Sequence, residues 1–389
     1  MPLLNRAIEM QDEVSVWRRH LHETPELMFD VHETAAFVAG KLREFGCDTV
    51  ETGIGRTGIV GVIKGRHGDG ATIGLRSDMD ALPLTEITGK PWASRHNGKM
   101  HACGHDGHTA MLLGAAQYLA ETRNFKGTVA VIFQPAEEGG GGGREMVKEG
   151  MMERFSISEV YGMHNVPGLP IGQFAIRKGP IMAATDEFNI TVEGRGGHAA
   201  QPHRTIDPVV IGAQLVNALQ TIVSRGTDPL DSVVLSVTKF HAGDAHNIIP
   251  QRAELAGTVR TLRPEMRDFA ERRLTEVADG VASALGASAS VHYARNYPVT
   301  FNHERETSFA AQTARTIAGN NGVNEEVAPM MAGEDFSYML EARPGAFIFI
   351  GNGDSASLHN PSYDFNDDAI PHGISYWVKL AESALPASS

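Results

Sequence analysis

The chain has 389 residues, more than one hydrophobic core usually holds, and this length predicts two domains. Hydrophobic residues at 42 % and charged residues at 21 % describe an ordinary globular protein. A formal net charge of −13 argues against nucleic acid or an anionic membrane surface as the main partner, although a small anionic substrate needs only local basic groups.

The opening Met1–Arg6 segment lacks the apolar run of a secretory signal. No stretch approaches the roughly eighteen uninterrupted apolar residues of a membrane span. Cys47 and Cys103 are too few for a disulfide framework, so a soluble cytoplasmic protein is expected. In chain order, helices are expected at Glu13–His22 and Val31–Phe45, with Cys47 a plain buried residue after the second. Strands Gly58–Gly65 and Thr72–Leu75 follow, then helix Thr109–Glu121 and strands Thr128–Phe133 and Val160–Met163. From about Asp186 the order becomes strand Glu187–Glu193, helix Ile206–Ser224, strands Ser232–Phe240 and Arg252–Leu262, helix Pro264–Ala284 and strand Ala287–Tyr297. That β-α-β-β-α-β order is ferredoxin-like. The first pattern resumes with helices Glu304–Ala318 and Phe336–Leu340, strand Ala346–Gly351 and a last helix near His372–Leu385. The expected fold is therefore an α/β catalytic domain, residues 1–185 and 299–389, split by an inserted α+β domain at 186–298.

The densest chemistry lies in His101-Ala102-Cys103-Gly104-His105-Asp106-Gly107-His108. A thiolate and neutral imidazoles are borderline-soft ligands that suit zinc and its neighbours, and the two glycines free the backbone to turn. Further donors follow predicted strands: Asp78-Met79-Asp80, Glu137-Glu138, His164 and, after a Gly/Ser-rich loop, His359. In an open α/β sheet, function collects at the carboxyl ends of strands. Successive side chains along a strand point to opposite sides, so one glutamate of the pair can bind metal while its neighbour faces water. Metal-assisted hydrolysis needs that division between Lewis acid, water and base, and the residues alone leave open which glutamate takes which part. The Gly139–Gly143 run is not a phosphate loop, because no Lys-Ser/Thr follows it; a pliable loop is expected.

These segments resemble the M20 family of metallopeptidases and amidohydrolases, within its subgroup of N-acyl-amino-acid amidohydrolases that includes hippurate and auxin-conjugate hydrolases. The resemblance also rests on Trp17–Leu27, Gln134–Gly139, Gly196-Gly197-His198-Ala199-Ala200, Ala332-Gly333-Glu334-Asp335-Phe336 and Leu358-His359-Asn360-Pro361, spanning nearly the whole chain. It implies a zinc-peptidase-like catalytic domain with a ferredoxin-like lid and dimerisation domain. It implies one or two divalent ions (Zn, Mn, Co or Ni) held by Cys103, His105, Glu138, His164 and His359, with Glu137 as the base. Most of the wider family carries a His where this chain has Asp78, and Asp80 keeps an orienting part while the Cys-x-His pair supplies ligands. His101 and His108 fall outside the implied ligand set. The resemblance further implies that His198 reaches the other subunit's site in a homodimer and stabilises the oxyanion, while Asn247 and Arg260 hold the substrate carboxylate. The guanidinium fork suits a carboxylate in bidentate fashion. Hydrolysis of N-acyl amino acids is expected, with a carboxypeptidase or dipeptidase acting on short peptides as the alternative. A closed structural zinc site would want closely spaced cysteines, and a nucleobase deaminase a Pro-Cys-x-x-Cys pair; both patterns are missing.

Overall fold

Strands made of β-branched and apolar runs need cover on both faces, and that demand organises the larger part of the molecule. The computed structural model describes residues 3–387, so Met1 and Pro2 of the opening segment lie outside the described residues. The first stretch supplies α1 (Gln11–Glu23), α2 (His32–Glu44), β1 (Thr49–Ile54), β2 (Gly58–Lys64), β3 (Thr72–Asp78), α3 (His105–Thr122), β4 (Thr128–Gln134) and β5 (Ile157–Val166). The middle supplies β6 (Ala184–Glu193), α4 (Pro208–Thr221), β7 (Val233–His241), β8 (Arg252–Thr261), α5 (Pro264–Ala284) and β9 (Ser288–Arg295). The last stretch supplies α6 (Glu304–Ala318), β10 (Gly345–Gly351) and α7 (Ile370–Ala384). These form two compact units, one of Met1–Ile181, Phe301–Ala328 and Asp335–Ser389, the other of Met182–Thr300 and Pro329–Glu334.

The larger unit is built on an eight-stranded mixed sheet in the order β1-β2-β4-β3-β5-β10, continued by the short strands Phe174–Ala175 and Val323–Asn324. The neighbours β4, β3, β5 and β10 run parallel, so their carboxyl ends share one edge. Every residue of β3 and β10 is buried. Helix α3 is apolar nearly all round, with Met111, Leu112, Leu113, Ala115 and Ala116 buried, as a helix enclosed by protein must be. It packs in one core with Trp377 of α7, Ile348 of β10 and Phe133 of β4. Strand β1 escaped the sequence reading, because it is a mostly exposed edge strand without an apolar run.

In the smaller unit the sheet order is β7-β8-β6-β9 with every pair antiparallel, the ferredoxin-like arrangement. Burial alternates along β6, so one face meets α4 and α5 through Phe188, Ile190, Leu215, Leu219, Leu255 and Leu274. Helix α4 starts at Pro208 rather than Ile206, because Asp207 caps it by accepting a hydrogen bond from the Val209 N–H, with Pro at the first helical position. Its predicted continuation to Ser224 is a π-helical turn over Ile222–Gly226. Among the described residues, no helix is long and apolar enough to cross a membrane.

Candidate metal centre

At the shared edge of the parallel strands, the chain lays down its titratable residues. Strand β3 ends at Asp78, whose Oδ2 accepts from Arg76 Nη1 at 2.8 Å and whose Oδ1 meets His108 Nδ1 at 2.7 Å. Arg76 also donates to Gln134 Oε1 at 2.9 Å and to Asp335 Oδ1 at 3.1 Å, tying the ends of β3 and β4 together underneath the cluster. Two residues on, the Asp80 carboxylate accepts the backbone N–H groups of Glu137 at 2.9 Å and Glu138 at 3.1 Å. Its backbone carbonyl meets His105 Nδ1 at 2.8 Å. Asp80 thus orients one imidazole and shapes the turn that carries both glutamates.

That turn corrects one expectation. Glu137 and Glu138 lie beyond the end of β4, and Ala136 before them has φ 53°. A left-handed turn capped by Asp80, not strand alternation, therefore sets the directions of these two side chains. The Gly139–Gly143 run is also less pliable than expected: a Cβ on Gly142 would sit 1.7 Å from the Pro135 carbonyl oxygen, so glycine is needed for close packing. Helix α3 begins at His105, four residues before the predicted Thr109. Gly104 makes the turn at φ 93°, whereas Gly107 already lies within the helix. His105 and His108 occupy its first turn, at the i, i+3 spacing that puts both on one face. Buried Asp106 beside them meets His22 Nδ1 of α1 at 2.7 Å.

Five of the expected ligands converge. Cys103 Sγ lies 3.4 Å from His164 Nε2, and His164 Nδ1 donates to the Asn165 carbonyl at 2.7 Å. His359 Nε2 lies 3.2 Å from Glu138 Oε1, and His105 Nε2 approaches the same oxygen at 4.0 Å. One donor atom each of Cys103, Glu138 and His359 falls within a 4.8 Å group, as do those of His105, Glu137 and Glu138. A third such group joins Asp78, His105, His108 and His164. His105 Nε2 is buried without a hydrogen-bond partner, the state of an atom shaped to face a cation. In both buried histidines, Nδ1 is fixed on a backbone carbonyl and Nε2 is left to the cluster, as ligating histidines require. His101 is buried as well, with neither ring nitrogen hydrogen-bonded.

Burial and the mutual contacts set how tightly each donor holds its proton, and the His105 imidazole, although buried, is held well above its ordinary value by the Asp78 charge. Burial, with the Glu138 charge beside it, pushes the Cys103 thiol up to about 12. Burial opposes ionisation of Glu138, yet contact with His359 and the His105 charge hold its carboxyl below the usual range. Contact with Glu138 in turn raises His359. Burial, reinforced by His108, drives His164 well below the ordinary imidazole value, which keeps its lone pair available. Protons and a divalent cation compete for these atoms, as at any site of thiolate, imidazole and carboxylate.

A model of peptidase family M20/M25/M40 matches residues 74–383. The chain belongs to this family. It is 42 % identical to the hippurate hydrolase of Campylobacter jejuni over 98 % of this chain and 99 % of that protein. It is 40 % identical to thermostable carboxypeptidase 2 of Saccharolobus solfataricus over 90 % of this chain and 88 % of the relative. Among solved structures, the Bacillus subtilis YXEP protein, described as a dinuclear metal-binding peptidase of the M20 family, superposes with a TM-score of 0.86. That match has 34 % identity and covers 97 % of this chain and 99 % of the other.

The smaller unit carries the remaining expected residues. Gly197–His198 pairs with Ile248–Ile249 in a two-residue antiparallel ladder. The Ala199 N–H donates to the Asn247 carbonyl at 3.0 Å, so His198 and Asn247 are neighbours, both exposed. Arg260 is not with them. It sits eight positions along β8 from Arg252, about 26 Å at the usual strand rise. It is half-buried, donating to the Val259 carbonyl at 3.1 Å and hydrogen-bonding to Thr258. The polar supports Arg76, Gln134, Asp335, Asn165 and Tyr363 were not read from the sequence, because each is an ordinary residue type whose partners are distant in the chain.

Proposed function

We propose that this protein hydrolyses the amide bond of N-acyl amino acids, giving a carboxylic acid and a free amino acid. The observation that carries the reading is the convergence of Cys103, His105, Glu138, His164 and His359 with Glu137 alongside. The protein is a metal-dependent hydrolase of the M20 family, and these five side chains are the proposed holders of one or two divalent ions. When bound, such an ion supplies Lewis acidity toward a carbonyl oxygen and toward water. The chain's own residues do the rest. Glu137, within reach of His105 and Glu138, accepts the proton of the attacking water and passes it to the leaving amine. Asp80 holds the Glu137 backbone so that the carboxylate keeps its aim. His198 donates to the developing oxyanion, and Asn247 and Arg260 bind the carboxylate of the amino-acid half.

This division of labour calls for a homodimer. Strand β7 is an edge of the smaller sheet, with Val234 and Phe240 exposed on it and Val209 and Val210 exposed at the start of α4. Such an apolar edge favours pairing with a second copy. Because β8 separates Arg260 from the His198–Asn247 ladder, one substrate does not meet all three from the same copy. His198 and Asn247 then serve one site of a homodimer and Arg260 the other. Two free cysteines, Cys47 and buried Cys103, fit a reducing cytoplasm.

The substrate class draws support from the hippurate hydrolase relative, and the carboxypeptidase relative favours a second reading, cleavage of short peptides. The deciding experiment is kcat/KM for a panel of benzoyl-, acetyl- and indolylacetyl-amino acids beside di- and tripeptides, with Zn, Mn, Co or Ni supplied in turn. The N-acyl amino acids are expected to lead, and a consistent lead by the peptides would replace the proposal with its alternative.

A further inference from the structure

The Asn165 side chain meets both His108 and Tyr363 behind the cluster, yet it is not one of the expected ligands. It follows His164 at the end of β5, is fully buried, and its backbone carbonyl receives His164 Nδ1 at 2.7 Å. Its backbone N–H donates at 3.0 Å to Nε2 of His108, on the same helix turn as His105, and its carboxamide oxygen lies 2.7 Å from the same nitrogen. Its Nδ2 donates to the Tyr363 hydroxyl at 2.5 Å, and Tyr363 lies four residues beyond His359 with its ring fully buried. His108 carries the chain of contacts on to Asp78 at 2.7 Å.

The same side chain rests on the Cys103–His105 turn. A Cβ on Gly104 would sit 2.2 Å from the Asn165 carboxamide oxygen and 2.7 Å from the Tyr363 hydroxyl, so only glycine at φ 93° lets the three segments close up. The His359 N–H donates to the Ala102 carbonyl at 2.7 Å, which fastens the third segment to the first from the other side.

We propose that Asn165 is a positioning residue that clasps the three separate ligand-bearing segments, Cys103–His105, His164 and His359, into one geometry for the metal. This rests on the ligand assignment above. The carboxamide suits the task because it both donates and accepts in a short, planar group, and a buried network with every member engaged fixes one arrangement. It acts on His105 through His108, on His359 through Tyr363, and on His164 through its own backbone.

The test is divalent-ion affinity of the full-length protein, read by competition with a chromophoric chelator for zinc, beside the unfolding midpoint of the metal-free protein. Removing a residue that aims a ligand typically costs about 10–100-fold in affinity. Tyr363→Phe, which keeps the ring and removes only the hydroxyl, should therefore weaken zinc binding about 10-fold. In a His359→Ala background the same change should cost nothing further, because the ligand it aims is gone. Asn165→Ala should weaken binding by about 100-fold and Asn165→Asp by less, since the carboxylate keeps the reach. Tyr363→Phe that lowers the midpoint but leaves affinity intact, or that costs as much in the His359→Ala background, would overturn the clasp alone. His359→Ala with wild-type affinity would instead overturn the ligand assignment and the clasp together.

Discussion

The two units present their functional side chains in opposite ways. In the larger one, His105 and His164 are buried, each with one ring nitrogen committed to a carbonyl, and a layer of Asp78, Asp80, Arg76 and Asn165 stands behind them. In the smaller one, His198 and Asn247 are exposed on a two-residue ladder, with His198 Nδ1 accepting only the nearby Ala200 N–H at 3.1 Å. The first arrangement is complete within its own unit. The second presents side chains whose order must come from what they meet. On the proposed assignment, chemistry that needs rigid aim, holding a cation and directing a base, belongs to the buried cluster, while the groups proposed to come to a substrate stand on an open surface.

The contrast breaks most severely if the buried cluster is not a metal centre. A chelator should abolish hydrolysis and an added divalent ion should restore it. Cys103→Ala should lose metal and activity together; full activity in a preparation verified as metal-free would defeat the reading. Next in size is the split between adjacent glutamates. Glu137→Gln should keep its metal while kcat falls by about 10²–10⁴, and Glu138→Gln should lose metal first. The reverse pattern in metal analysis would exchange their roles.

Two smaller effects sharpen the open unit's side of the comparison. Arg260→Ala should reduce kcat/KM about 10- to 100-fold for an N-acyl amino acid and little for its C-terminal amide, because one charge-assisted hydrogen bond contributes about 1.5–3 kcal/mol. Equal losses on acid and amide would assign Arg260 to the fold. Mixing inactive Glu137→Gln with inactive His198→Ala, under conditions that exchange subunits, should return part of the activity if His198 works in the partner's site. No recovery despite demonstrated exchange would place its action within its own chain.

Much of the α/β order was legible because strands buried on both faces read as β-branched runs, and helix α6 runs from Glu304 to Ala318 as its pattern predicts. The ferredoxin-like order was legible for a different reason, since β6 alternates with one buried face and α5 keeps one apolar face. Edge strand β1 was not, because its solvent-facing residues carry no periodic signal. At the site, the ligand residue types announced themselves by crowding a cysteine, three histidines and an aspartate into eight residues. The start of α3 did not, because glycines in His105-Asp106-Gly107-His108 read as a turn while tertiary packing makes it helix. The supports stayed hidden for a different reason. Gln134 and Asp335 are neighbours only after folding, and nothing local in either segment names the other.

Of the five donors, His359 alone opens to solvent. Its side chain is 55 % exposed, against 12 % for Glu138 and none for His105, and its φ of 61° is a left-handed conformation that non-glycine residues adopt at a cost. On the proposed ligand assignment, His359 is therefore the donor that water and a small chelator reach first, so chelator-driven loss of metal is expected to begin there and not in the buried core.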